Sequence, residues 1–250
     1  MSGSRPHDDA ELHQPRSLYA ASSRRPLSIA LFLLPGVVFY EFAAVAVLGE
    51  DGGRSVLTSR DLIHTLFEIF GVIGVHLPGV LLMVTLLAQH LIARDSWRVR
   101  PTVPLIMLGE SLLWAMPILV LAGVMGFLSH AAEPVPTLTG AAVAVGAGVY
   151  EEFVFRLVLI AGVHALLVDL CTVKDSIGRW LAIAVSAFAF ASFHGIQAGG
   201  VVDLAATFFY GVAGLFLAWL FLNRGLGIAA GAHAVYDLLI LVLLPAVQGG

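Results

Sequence analysis

The chain has few charged residues and one cysteine, and both features limit the classes of protein and of site that it can form. Only 12% of its 250 residues are charged, about half the share found in an ordinary soluble domain. The one cysteine, Cys171, excludes an internal disulfide and a metal site built on several thiolates. The small net charge of -4 gives no basic surface for nucleic acid. Because 59% of the residues are hydrophobic, much of the folded surface must face lipid rather than water.

Apolar segments follow one another along the chain, each close to the length that crosses a bilayer as a helix. We place seven spans at about 27–48, 71–93, 104–128, 139–168, 180–198, 201–222 and 226–247. Residues 55–70 mix charged and apolar side chains, which is typical of a helix at the membrane interface or of an extended second span. The sequence therefore predicts an all-α, polytopic transmembrane helical bundle that forms a single domain over residues 27–250.

The basic residues predict how the bundle is oriented. Residues 1–26 are polar, contain four arginines and are expected to form a disordered cytoplasmic tail. With the N-terminus inside, ten of the 13 lysines and arginines fall in this tail or in the inner loops, and the C-terminus lies outside. The short loops and the lack of an organelle signal favour an integral protein of a bacterial inner membrane.

The fourth span carries three ionisable side chains where the bilayer disfavours them. Glu151, Glu152 and Arg156 lie in the run Val149-Tyr150-Glu151-Glu152-Phe153-Val154-Phe155-Arg156. Each costs on the order of 2.5–3.5 kcal/mol at the bilayer centre. Glu152 and Arg156 are four residues apart and are expected to pair on one helix face. Glu151 is rotated about 100° from Glu152, so it needs a partner on another helix, a proton or water.

Two later spans offer such partners. Phe190 and His194 lie one turn apart in the fifth span, and the ring is expected to shield the imidazole from lipid. His233 and Asp237 lie one turn apart in the seventh span, among small residues that allow close helix packing. The remaining intramembrane polar residues lack a motif, and we interpret them as interfacial or as interhelical hydrogen bonders; they are Glu41, His76, His90, Glu110 and His164.

Three motifs occur in order, each in its own apolar span: Glu151-Glu152-x-x-x-Arg156, Phe190-x-x-x-His194 and His233-x-x-x-Asp237. The set resembles the signature of the CPBP intramembrane proteases over residues 139–240. That family includes the type II CAAX prenyl endopeptidases and the bacteriocin-processing, Abi-like relatives. The resemblance implies an intramembrane endopeptidase.

By this resemblance, Glu151 would be the general base that activates water, and His194 would hold the same water. His233, with Asp237 behind it, would stabilise the oxyanion, while Glu152 and Arg156 would form a supporting ion pair. The family commonly has asparagine or aspartate at the last position of the third motif. Because an ionised aspartate cannot donate a hydrogen bond, Asp237 is expected to orient or charge His233, or to act in its protonated form.

Several alternatives stay open. Glu151, His194 and His233 would also suit a zinc ion with one open position, but no His-Glu-x-x-His helix is present. We favour catalysis without a cofactor. Buried carboxylates and histidines are also found in ion-coupled transporters and channels, and a catalytically silent immunity or scaffold protein is a third reading. As partners we expect membrane lipid and a peptide or protein with a membrane-associated segment, such as a prenylated tail, a leader peptide or a sorting segment.

Overall fold

The computed structural model describes residues 14–51, 77–129, 136–195 and 201–248, and the described chain is dominated by helices. They are α1 (Gln14–Ser23), α2 (Pro26–Asp51), α3 (Leu77–Ala93), α4 (Thr102–Val124), α5 (Thr137–Leu170), α6 (Asp175–Gly195), α7 (Leu204–Arg224) and α8, which begins as Leu226–Leu238 and continues through Leu239–Leu243 and Leu244–Gln248. A single 3₁₀ turn, Phe127–Ser129, follows α4.

The prediction of an all-α, polytopic helical bundle is confirmed for the described residues. Six of the helices are long and apolar enough to cross a membrane, and Pro78–Ala93 of α3 is a shorter apolar helix. The beginning of the predicted second span, 71–76, lies outside the described residues, as does the predicted interfacial helix at 55–70.

Part of the segment predicted to be a tail lies against the helical bundle. Residues 1–13 lie outside the described residues, but Gln14–Ser23 forms α1. The hydroxyl of Tyr19 donates to Glu110 Oε2 of α4 at 2.7 Å. Arg24 Nη2, just after α1, donates to the carbonyl of Leu222 near the end of α7 at 3.2 Å. The composition of the tail gave no sign of this docking, because it depends on acceptors more than 90 residues away.

Polarity is distributed inside out relative to a soluble protein. Large apolar side chains such as Leu113, Val124 and Phe188 are more than 70% exposed on the outer faces of the helices. Glu152 and Arg156, in contrast, are fully buried. A helix needs an apolar outer face where it meets hydrocarbon, and its charges are stable only towards the bundle interior.

Small residues bring α5 and α8 close enough together to share a site. Before the acidic pair, the buried positions of α5 are occupied by glycine and alanine. α8 begins with a buried run from Leu226 to His233. A Cβ atom on Gly148 would lie 2.5 Å from the backbone nitrogen of Ala234. α8 also packs along α4 and follows α7 directly through Gly225, whose φ of 90° favours glycine.

Candidate active site

The acidic pair of α5 lies where the helix widens. Residues Ala147–Glu151 and Phe153–Ile160 have π-helical hydrogen bonding, with Glu152 between them. Such widened turns occur mostly within α-helices and frequently at functional sites. Here the two adjacent carboxylates point to different partners, Glu151 towards α6 and Glu152 towards α8. One turn of one helix therefore supplies acidic groups to two separate histidines.

Glu151 faces His194. Its Oε2 lies 3.3 Å from His194 Nε2, and Glu151 is only 5% exposed. The other ring nitrogen, Nδ1, lies 2.9 Å from the carbonyl oxygen of Phe190, one turn earlier in α6. Because a carbonyl only accepts, Nδ1 carries a hydrogen and donates it. His194 Nε2 is thereby directed at Glu151, and this pair can exchange a proton.

His233 lies between two carboxylates. Its Nδ1 is 3.0 Å from Glu152 Oε1, and its Nε2 is 3.4 Å from Asp237 Oδ2 on the same helix. The i,i+4 spacing predicts that His233 and Asp237 share a face, and the structure places them so. The contact with Glu152 was not predicted, because no sequence spacing relates residues 152 and 233. Glu152 therefore contacts both Arg156 on its own helix and His233 on α8.

The predicted ion pair within α5 is present and fully buried. Arg156 Nε lies 3.1 Å from Glu152 Oε2, although the alignment is not that of a hydrogen bond. The guanidinium also lies over the ring of Phe190, 4.6 Å from its centroid. Ser186 of α6 lies 3.5 Å from Arg156 Nη1 and donates to the carbonyl of Phe155 at 2.7 Å. The pair therefore ties α5 to α6 behind the histidines.

A cavity of about 160 Å³ opens beside these groups. Glu151, His194, His233 and Asp237 lie on its wall, whereas Glu152 and Arg156 do not. The rest of the lining is apolar or aromatic and comes from α4, α5, α6, α7 and α8; it comprises Ile118, Val143, Ala147, Phe190, Phe209, Tyr210, Ala213, Leu217, Tyr236, Ile240 and Leu241. The volume holds several water molecules or a few side-chain atoms, with polar groups gathered at one end.

All six residues singled out in the sequence come together, but the structure adds two tyrosines. Tyr210 of α7 and Tyr236 of α8 line the cavity. Tyr210 falls in no motif, and Tyr236 occupies one of the unspecified positions of the third motif, so the only sequence signal would have been a phenol in the middle of an apolar span. Glu110 lies elsewhere: its carboxylate binds Arg224 at 2.5 and 2.8 Å and accepts from Trp114 at 3.1 Å. That arrangement agrees with an interhelical polar contact.

A zinc site would place stricter geometric demands on these side chains. Catalytic zinc needs three side-chain ligands whose lone pairs converge about 2 Å from the ion. Within the described residues, no group of three or more histidine, cysteine, aspartate or glutamate side chains has this arrangement. The ring nitrogens face carboxylates or, at His194 Nδ1, a carbonyl. In this conformation the residues do not fit a bound metal.

Comparisons with known proteins agree with the geometry. Residues 133–239 match the family described as type II CAAX prenyl endopeptidase Rce1-like. The matched segment runs from just before α5 into α8 and contains all six polar residues of the site. No curated protein and no solved structure matches the chain. Through this segment, the chain is similar to the CAAX-type membrane proteases of that family.

Proposed function

We propose that the chain is an intramembrane endopeptidase in which Glu151 activates water for attack on a peptide bond. The observation that supports this most directly is the pairing of Glu151 with His194 at 3.3 Å on the wall of a buried cavity. A carboxylate and an imidazole in such contact can hold one water and pass its proton between them. The apolar remainder of the cavity would exclude bulk water and strengthen these interactions.

The reaction needs no group beyond the side chains and one water. Glu151 takes a proton as the water oxygen bonds to the carbonyl carbon, giving a tetrahedral intermediate with a negatively charged oxygen. The same proton then passes, directly or through His194, to the amine as the C–N bond breaks. The products are a carboxylic acid and a free amine. His194 keeps its orientation because Nδ1 stays bonded to the Phe190 carbonyl.

His233 would supply positive charge to the intermediate. As an imidazolium it donates to Glu152 from Nδ1 and lies beside Asp237 through Nε2. A fixed cation near developing negative charge is worth most where water is scarce. Asp237 then orients and charges His233 rather than acting as a hydrogen-bond donor. Glu152 and Arg156 hold this arrangement from behind without reaching the cavity.

The position of the site supports a substrate class. A cavity enclosed by five helices of a membrane bundle would favour a peptide brought there by a membrane-associated segment. The name of the matched family, a CAAX prenyl endopeptidase, makes a prenylated C-terminal peptide the first probe, with a leader-type peptide as the second. Lipid is the surrounding partner. The distribution of basic residues supports a cytoplasmic N-terminus and a C-terminus outside.

The decisive experiment replaces Glu151 by glutamine in the full-length protein reconstituted in lipid nanodiscs. The probes are an internally quenched farnesylated peptide ending in a CAAX sequence and an unprenylated leader-type peptide. Glutamine has nearly the same shape but is not a base, so cleavage should fall by a factor on the order of 10²–10⁴. Glu110→Gln is the matched control, since Glu110 is a partly buried carboxylate outside the cavity, and should retain most of the activity.

Three results would overturn the proposal. Full activity in Glu151→Gln removes Glu151 from the chemistry. Failure of the wild type to cut either probe, together with Glu151-dependent proton flux into proteoliposomes, would favour the transporter. Cleavage of neither probe without such flux would favour the catalytically silent protein.

Removal of metal ions tests the choice between water activated by glutamate and water activated by zinc. We expect cleavage to survive dialysis against a strong chelator, and purified protein to contain well under one zinc per chain by elemental analysis. Loss of activity on chelation that zinc restores would replace the glutamate mechanism with the metal-dependent one. Glu110→Gln, treated in parallel, controls for general effects of the chelator on the membrane protein.

A further inference from the structure

The side chain of Tyr210 occupies a position that the proposed mechanism leaves without a role. It comes from α7, which contributes none of the three motifs, yet it lines the same cavity as Glu151 and His194. Its ring stacks on the His194 imidazole, with centroids 4.4 Å apart and an angle of 26° between the planes. Besides His194, the Tyr210 ring contacts the rings of Phe190 and Phe209.

The imidazole nitrogens of the site face protein atoms. His194 Nδ1 donates to the Phe190 carbonyl, and its Nε2 lies 3.3 Å from Glu151 Oε2, which has no hydrogen-bond partner among the described residues. His233 Nδ1 lies within hydrogen-bond distance of Glu152, and its Nε2 lies 3.4 Å from Asp237. The carboxylates of Glu151 and Asp237, when ionised, can only accept. The polar end of the cavity is therefore rich in acceptors.

Peptide hydrolysis also requires a hydrogen-bond donor to the carbonyl oxygen of the substrate. Negative charge develops on the carbonyl oxygen of the substrate, and proteases stabilise it with a hydrogen-bond donor about 2.7–3.1 Å away. A tyrosine hydroxyl is a suitable donor, since it ordinarily keeps its proton up to about pH 10. The Tyr210 ring lines the cavity and is stacked on the imidazole that faces Glu151, which brings its phenol to the same wall as the catalytic pair.

We infer that Tyr210 is a further catalytic residue, whose hydroxyl donates a hydrogen bond to the carbonyl oxygen of the substrate as the tetrahedral intermediate forms. This inference rests on the proposed peptidase function. The phenol keeps its proton throughout, so the proton balance between water, Glu151 and the leaving amine is unchanged. His233 supplies the nearby positive charge, and Tyr210 supplies the direct hydrogen bond.

A buried tyrosine outside the cavity serves as a matched control. Tyr40 is only 7% exposed, packs in an apolar cluster with Leu33 and Val37, and does not line the cavity. Its ring contacts that of Tyr150, with centroids 4.8 Å apart. Removing its hydroxyl deletes the same single atom from a buried phenol without changing the cavity.

The test compares Tyr210→Phe with Tyr40→Phe in the full-length protein, using the farnesylated CAAX peptide and the leader-type peptide as probes. Phenylalanine keeps the stacking on His194, so the thermal unfolding midpoint of Tyr210→Phe should stay close to that of the wild type. Its kcat should fall by a factor on the order of 10²–10³, as when one oxyanion donor is lost elsewhere. Its KM should change little, and Tyr40→Phe should keep nearly all of the wild-type kcat.

A second measurement separates a hydrogen-bond donor from a residue that merely positions His194. Replacing Tyr210 with 3,5-difluorotyrosine makes the phenol more acidic and leaves its shape almost unchanged. The titratable groups near this position are His194 on α6, Glu151 on α5, His233, Tyr236 and Asp237 on α8, and Asp203 directly before α7. They are the same in both proteins, so a new descending limb of kcat at alkaline pH, absent from the wild type, reports loss of the donated proton.

Each outcome has a distinct meaning. Loss of cleavage in Glu151→Gln but not in Tyr210→Phe overturns this inference and leaves the proposed function intact. Equal losses in Tyr210→Phe and Tyr40→Phe, or a pH profile unchanged by difluorotyrosine, also overturn it. A wild-type protein that cuts neither probe overturns the proposed function and this inference with it.

Discussion

At the scale of single residues, the buried ionic network is the feature with the largest energetic consequence. Glu152 and Arg156 have no exposed surface, and Glu152 also contacts His233. A buried charge pair gains little over an apolar pair, but removing one partner leaves the other unpaired in a medium that disfavours charge. The spacing of residues 152 and 156 predicted their pairing. The role of Glu152 as a link to α8 depended on contacts that sequence spacing does not encode.

The chain provides an internal comparison for this argument. Arg156 and Arg179 each pair with a carboxylate four residues earlier, Glu152 and Asp175, but the second pair is more than half exposed. We expect Arg156→Ala to lower the free energy of unfolding by about 3–5 kcal/mol and Arg179→Ala by less than about 1 kcal/mol. Reversible unfolding in mixed micelles measures both. Equal losses would show that burial of the first pair carries no special penalty.

At the scale of helices, the close approach of α5 and α8 determines the site. Glycine and alanine on α5 allow its acidic turn to meet the His233 face of α8, and α6 meets the same turn from another side. The sequence predicted the helices and the small residues of α8. It did not predict the π-helical turns of α5, because such widening is stabilised by tertiary contacts rather than by the preferences of single residues.

Substitutions at two glycines of α5 distinguish the effect of helix packing on stability from the effect of helix propensity. A Cβ atom on Gly148 would lie 2.5 Å from Ala234, whereas one on Gly162 would meet nothing within 4 Å. We expect Gly148→Ala to force α5 and α8 apart, lowering stability by about 1–3 kcal/mol and cleavage with it. Gly162→Ala should leave cleavage unchanged and stabilise by up to about 1 kcal/mol. Thermal unfolding and cleavage of the farnesylated peptide check both, and an unaffected Gly148→Ala would contradict the packing argument.

At the scale of the whole molecule, the fold is a membrane bundle with its charges inside and its apolar surface outside. Arg24 binds a carbonyl near the end of α7, so the start of α2 and the end of α7 lie at one end of the bundle. The predicted inner loops require the same proximity. The contact agrees with the order of spans read from the sequence, while the direction in which the bundle crosses the membrane remains a proposal based on the positive-inside rule.

The single cysteine allows that orientation to be measured. Cys171 is exposed in the short loop between α5 and α6, which the proposal places inside. A membrane-impermeant maleimide should label it in inside-out vesicles and not in right-side-out ones. In a Cys171→Ser background, Val247→Cys near the end of α8, where Val247 is 79% exposed, should label in the opposite preparation. The reverse pattern in both proteins would invert the topology.

The sequence by itself determined that the protein is a bundle of apolar helices, where those helices lie, and which polar residues cannot face lipid. These follow from local composition and from helical spacing, both of which act within one segment. Only the tertiary structure decided that Glu151 meets His194, that Glu152 meets His233, and that Tyr210 stacks beside them. Those contacts join residues on different helices, and their geometry is set by how closely the helix faces pack, which no single segment specifies.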